Sequence, residues 1–210
     1  TTRHAFSTVY TDRTYDEADD IRPMIATRSI LWHQVRVDDP DVFALVQRMI
    51  EAHDEPVATA TWLSHFLLCE QAQEKGFDGL FGGLGGDELN AGEYEYFFYH
   101  FADLRGINNN GLLDHEIAMW ARYHDHPVYK KNHAVAHDAL RRLTDPNTPG
   151  KCLPDRLRLE RYAKALNPEF FDLSTFERVM EHPFRSYLKN RTCQDMTRET
   201  IPCCLRAEDR

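Results

Sequence analysis

In the stretch "LFGGLGGDELNAGEYEYF", Leu80 to Phe97, glycine occupies positions 82, 83, 85 and 86, and Asp87 and Glu88 follow at once. A glycine-rich turn leading into a helix lets backbone N–H groups approach an anion, and the helix N-terminus adds partial positive charge. Carboxylates directly behind such a cradle would repel a bare phosphate. A cation between them resolves the conflict, because Mg2+ is typically held by one or two carboxylates together with phosphate oxygens. Asp87 is therefore the candidate metal ligand, and Gly82, Gly83, Gly85 and Gly86 the candidate cradle of a metal-nucleotide site. The run matches neither G-x-x-x-x-G-K-[ST] nor G-x-G-x-x-G. On spacing alone it also reads as a tight strand-to-helix turn whose two acids favour the helix dipole.

Other groupings carry less. His124, Asp125 and His126, with His133 and His137 one helical turn apart, have zinc-ligand chemistry. "HAVAH" lacks the glutamate that a metalloprotease places after its first histidine, and surface histidines near a helix boundary are the favoured account. Ser64-His65 has no assigned acid partner, so no hydrolase triad is read there. The ring-rich "EYEYFFYHF" has helical spacing and reads as core rather than as a base-stacking surface. The five cysteines contain no C-x-x-C pair and are read as reduced thiols, with Cys203-Cys204 at an apolar helical position. Arg141, Arg142, Arg156, Arg158, Arg161 and Lys164 alternate with Asp138, Asp155 and Glu160, as on a solvated helical face.

The elements that must position the loop follow from periodicity. "AFSTVY" (Ala5 to Tyr10) reads as a strand, "YDEADDIRPMIAT" as a helix with Pro23 kinking it or marking its start, and "LWHQVRV" as a second strand. Asp38 to Pro40 can cap the helix "DVFALVQRMIEAH". "DEPVATATWLSHFLLCEQAQEKG" becomes an apolar helix stopped by Gly76, and "FDGLFGG" reads as a further strand. From Glu88 onward only helices are read, over 88–104, 112–124, 133–143, 157–166, 174–179 and 186–200. The expected fold class is α/β, a parallel sheet in the first half (1–88) and a helical second half (89–210). At 210 residues and 42% hydrophobic, the chain can bury a real core. A net charge of -9 argues against broad contact with nucleic acid or an anionic membrane. No apolar run approaches the ~18 residues that span a bilayer, and the start carries no signal-peptide pattern, so a cytoplasmic protein is expected.

These motifs together resemble the synthetase domain of glutamine-hydrolysing asparagine synthetases and their relatives, including β-lactam synthetases. The family's S-G-[DE]-G-[GS]-D-E-[LV]-F-x-G-Y stands here as Gly82 to Tyr94. "AFSTVY" with "YDEADDI" is similar to T-F-S-x-x-F…[FY]-D-E, and His33 sits where the family strand carries a histidine. "HDEPVATATWLSHFLL" is similar to D-E-P-x-x-x-x-[ST]-x-x-x-x-x-L, and "IPCCLRAEDR" to L-P-x-x-L-L-R-x-[DE]-R. The motifs are spaced over essentially the whole chain.

The resemblance implies an adenine-nucleotide α-hydrolase type of fold. It implies ATP and Mg2+ as cofactors, and chemistry in which ATP adenylates a carboxylate, of aspartate or an analogue, before ammonia or an amine displaces AMP. By position Phe6, Ser7 and Thr8 would line the adenine pocket, Gly83 would lie near the nucleotide, Asp87 would bind Mg2+ on pyrophosphate, and Glu88 would support the loop. The partners implied are small molecules, with ammonia drawn from glutamine by a separate glutaminase domain; homodimerisation is left open. The family's S-G-G-x-D-S loop would precede Thr1, and its S-M-x-x-x-x-E-x-R-x-P-F-L-D segment would follow Arg210, so a piece of a longer protein, inactive alone, is expected. Leu84 stands where asparagine synthetases carry Asp or Glu and β-lactam synthetases Tyr, and Gly82 replaces the usual Ser. No catalytic residue is assigned. A nucleotide-binding module without turnover, and a natural-product amidotransferase or cyclase, are the alternatives.

Overall fold

The computed structural model describes residues 2–38, 40–57, 59, 61–107, 110–123, 129–170, 172 and 179–208. The chain divides into two compact units, Thr1–Gly83 with Cys203–Arg210, and Leu84–Pro202.

In the first unit, β1 (Arg3–Val9), α1 (Ala18–Ala26) and β2 (Ile30–Arg36) form a strand-helix-strand module. The strands pair in parallel from Arg3↔Ile30 to Val9↔Arg36, and a parallel pair needs such a crossover. Pro23 lies inside α1; its missing N–H leaves the carbonyl one turn earlier without a helical donor. Two helices follow, α2 (Val42–His53) and α3 (Thr61–Glu74). They pack through Leu45, Met49 and Leu63, with Val46, Trp62 and Phe66 around them. The Tyr10 hydroxyl lies 3.0 Å from Ser64 Oγ, tying α3 to the end of β1. The cap of α2 is Asp41, whose side chain accepts from Ala44 N–H at 3.1 Å. Asp38, expected nearer that role, instead accepts from Thr11 N–H at 2.8 Å and pairs with Arg36. Gly76, at φ 81°, ends the turn after α3 as expected.

The third expected strand is absent. Residues 77–83 carry no strand, and Leu80 and Phe81 are exposed. A strand exists only when a neighbour pairs its backbone, and among the described residues the sheet consists of β1 and β2 alone.

The second unit is helical: α4 (Gly86–Asn90), α5 (Tyr96–Arg105), α6 (Asn110–Tyr123), α7 (His133–Leu143), α8 (Arg156–Ala163), α9 (Tyr187–Thr197) and the start of α10 (Thr200–Glu208). The aromatic run is core, as expected: Tyr96, Phe98, Tyr99 and Phe101 are buried with Ile117, Trp120, Ala136 and Leu140. The edge of Phe98 and of Phe101 meets Trp120, with centroids 5.8 and 5.6 Å apart. Side chains cap the helices at Asn132, Asp155 and Ser186. Asn190, buried, donates to the carbonyls of Gly150 and Phe184 at 2.7 Å each and accepts from Phe184 N–H at 2.9 Å.

Two long helices of the sequence reading are each broken. The segment 88–104 divides into α4 and α5, and 186–200 ends at Thr197, after which α10 begins. The expected helix at 174–179 and the residues His124, Asp125 and His126 lie outside the described residues, Val179 apart. Among the described residues no helix is long and apolar enough to cross a membrane. Cys203 is exposed and Cys204 half-buried, so only the second fits the apolar position expected of both.

Candidate functional site

The glycine run straddles the boundary between the units, with Gly82 and Gly83 closing the first and Gly85 to Glu88 opening the second. Gly85, at φ 87°, is the N-cap of α4 and needs glycine for that conformation. The other three do not. A Cβ on Gly82, Gly83 or Gly86 would meet nothing within 4 Å among the described residues, and none has a left-handed φ. Neither packing nor backbone conformation requires glycine there, which leaves the bare backbone open to close approach.

Asp87 is held from behind. Ala91 turns the chain at φ 56°, and Gly92 N–H donates to the Asp87 carbonyl at 2.9 Å. A Cβ on Gly92 would stand 2.2 Å from Asp87 Oδ1. A Cβ there would displace the carboxylate from this position. That same turn ends α4 after five residues, so the macrodipole expected of a long helix is not available to the loop.

The surroundings are strongly acidic. Desolvation, and then the charges of Asp87, Glu88, Glu95 and Asp195, raise the Glu93 carboxyl above its ordinary range. Glu88 is 6% exposed. Behind these acids a buried network fixes α5 to α9: Tyr96 Oη donates to Asp195 Oδ2 at 2.9 Å, and Thr200 Oγ1 to Asp195 Oδ1 at 2.9 Å. Arg191 pairs with Asp195 and, at 2.9 Å, with Glu199. Burial and the adjacent Asp195 carboxylate push the Tyr96 hydroxyl well up, so it serves as a fixed donor. Burial opposes the Arg191 charge, but Asp195, Tyr99 and Glu199 outweigh it and hold the guanidinium protonated.

Carboxylates are the hard oxygen donors that Mg2+ takes together with phosphate oxygens, although among the described residues Asp87, Glu88 and Glu93 do not bring three ligand atoms to one point. Asp87 would be the direct ligand of Mg2+.

In the first unit, Phe6, Ser7 and Thr8 lie on β1 opposite His33, Gln34 and Val35. Phe6 stacks on His33 with centroids 4.6 Å apart and meets Phe77 edge-on. Ser7 points to the other face, where its Oγ accepts from Trp32 Nε1 at 2.9 Å. Successive strand side chains alternate in this way, so the three side chains do not share one wall. His33 also lies 2.9 Å from His4 Nδ1, and desolvation followed by Lys75 and His4 lowers its pKa.

A family model for asparagine synthase matches residues 1–210. The chain belongs to the asparagine synthase family. Comparison with curated proteins and with solved structures returns no match. The family is one of ATP-dependent amidation by carbon–nitrogen ligase-like enzymes, and a mixed α/β chain with a parallel strand pair near its N-terminus is consistent with it. In this asparagine synthase family chain, the sequence marked the glycine loop and Asp87 as candidates but not the turn behind them. Gly92 stood in the quoted motif without a role, and its spacing five residues after Asp87 was the available signal. The Tyr96–Asp195 bond could not be read, because its partners lie 99 residues apart in the chain.

Proposed function

We propose that the intact protein binds ATP-Mg2+ on the glycine loop and adenylates a carboxylate, which ammonia or an amine then converts to an amide. The observation that supports this reading is that Gly82, Gly83 and Gly86 stand open, with no described atom within 4 Å of where a Cβ would lie, directly before Asp87. In the reaction, a carboxylate oxygen of aspartate or an analogue attacks the α-phosphorus and the bond to pyrophosphate breaks. The nitrogen then attacks the acyl carbon and AMP departs with the bond it shared.

Gly82, Gly83 and Gly86 would present backbone N–H groups to phosphate oxygens, and Gly85 sets their turn. Asp87 would hold Mg2+, with Glu88 and Glu93 adding negative potential; the metal, when bound, neutralises charge on the pyrophosphate. Catalysis of this type is positioning and electrostatic stabilisation. On β1, Phe6 and Thr8 share one face and Ser7 the other, so the strand would offer adenine its backbone edge as much as its side chains.

Leu84 favours a second reading within the same site. It is 41% exposed at the position of the family's acid or tyrosine, and it cannot take a proton from an attacking amine. Either ammonia attacks without that group, another residue serves, or, on this second reading, the acceptor differs from aspartate with ammonia, as in a natural-product amidotransferase or cyclase, or the site binds nucleotide without turnover. Pyrophosphate release from ATP-Mg2+ with a panel of carboxylates separates these. Turnover with a non-aspartate acid supports the differing acceptor, and binding without release supports the module. Asparagine made from aspartate and ammonia at ordinary enzymatic rates would remove Leu84 as an argument.

A further inference from the structure

A second place in the helical unit gathers ligand chemistry that the amidation reading does not use. His133 and His137 sit one turn apart on α7, and Asp114 lies on α6. One ligand atom from each comes within 4.8 Å of the other two. The imidazoles of His133 and His137 are nearly parallel, at 28° and 6.3 Å between centroids. Asp114 and His133 are exposed and His137 is half-buried.

The helices that carry them are firmly placed. Leu113, Ile117 and Trp120 of α6 and Ala136, Ala139 and Leu140 of α7 share one buried core. Asp114 adjoins Leu113, and His133 and His137 flank Ala136, so all three ride at the margin of that interface. Asn132 caps α7, its side chain accepting from Val135 N–H at 2.9 Å, and so fixes the turn that bears His133.

We propose that Asp114, His133 and His137 form a Zn2+ site that clips α6 to α7 and leaves a fourth position to water. Two imidazoles and one carboxylate are borderline nitrogen and oxygen donors, which suit zinc and not magnesium. Zinc bonds of about 2.0–2.2 Å place tetrahedral ligand atoms roughly 3.4 Å apart. Side-chain rotation of groups at the surface closes the remaining gap without moving either helix. Residues i and i+4 of a helix face the same side, and a carboxylate from the neighbouring helix completes a set that neither helix holds alone.

The test is a ZnCl2 titration of the purified protein by calorimetry, beside the His137→Ala and Asp114→Asn variants, with circular dichroism to compare folds. One site of micromolar affinity is expected, with a rise in thermal midpoint at saturating zinc. Each variant should lose at least the ~10–100-fold in affinity that removing even an outer-shell partner costs. Co2+ substitution reports the donors directly. Visible bands without a thiolate charge-transfer band support the assignment, and a strong charge-transfer band would place the metal on cysteine and overturn it. Equal zinc affinity in the wild type and His137→Ala, or binding only at millimolar zinc, would overturn it as well.

Discussion

Gly92 and Glu93 report on Asp87 from two directions. A methyl group on Gly92 has nowhere to go except into Asp87 Oδ1, so Gly92→Ala should displace the carboxylate and weaken ATP-Mg2+ binding by more than about tenfold, or 1.4 kcal/mol. Calorimetry with and without Mg2+ checks this, because metal-free nucleotide binding should change far less. Glu93 gives a pH signature. Its folded pKa lies above the unfolded one, so the folded state holds a proton that the unfolded state has released. The contribution of Glu93 to stability is therefore greatest below the ordinary glutamate range and is lost as pH rises through the raised folded value. Glu93→Gln should flatten that part of the stability curve in denaturant titrations between acid and neutral pH. Bound Mg2+ should lower the Glu93 pKa, visible by carbonyl NMR.

The break between α4 and α5 is where local conformation and site meet. Ala91 sits at φ 56°, a conformation that costs a non-glycine residue roughly 1–2 kcal/mol. Ala91→Gly relieves this but adds freedom to the unfolded chain worth ~0.4–1 kcal/mol. A net gain of up to about 1.5 kcal/mol is expected in chemical denaturation, with ATP-Mg2+ affinity kept because the bond from Gly92 N–H to Asp87 C=O remains. Destabilisation would show that Ala91 contributes more through its packing against the core of the second unit than through its backbone. The helices of the second unit were legible because their apolar period is long and capped; α7 begins and ends at the residues its pattern named. The 88–104 stretch looked continuous because Ala91 is a good helix former, although Gly92 beside it was a signal for the left-handed cap that ends α4. "FDGLFGG" has a strand's composition, but composition cannot supply the neighbouring strand that pairing requires.

For the molecule as a whole, motifs spread along the chain carried the family where local spacing alone left the loop ambiguous. The glycine run and Asp87 were legible as candidates, because phosphate and metal chemistry would demand particular residue types in one short segment. Asp114 was not, since it meets His133 and His137 only through the packing of α6 on α7. The same holds for Tyr96, which reaches Asp195 only across α5 and α9. The account as a whole rests on a metal-bridged nucleotide at the glycine loop. Its most direct test is the affinity of the intact protein for ATP-Mg2+ measured beside Asp87→Ala. The account predicts Mg2+-dependent binding in the wild type and a loss of at least about tenfold in the variant; equal affinities, or wild-type binding indifferent to Mg2+, would contradict it.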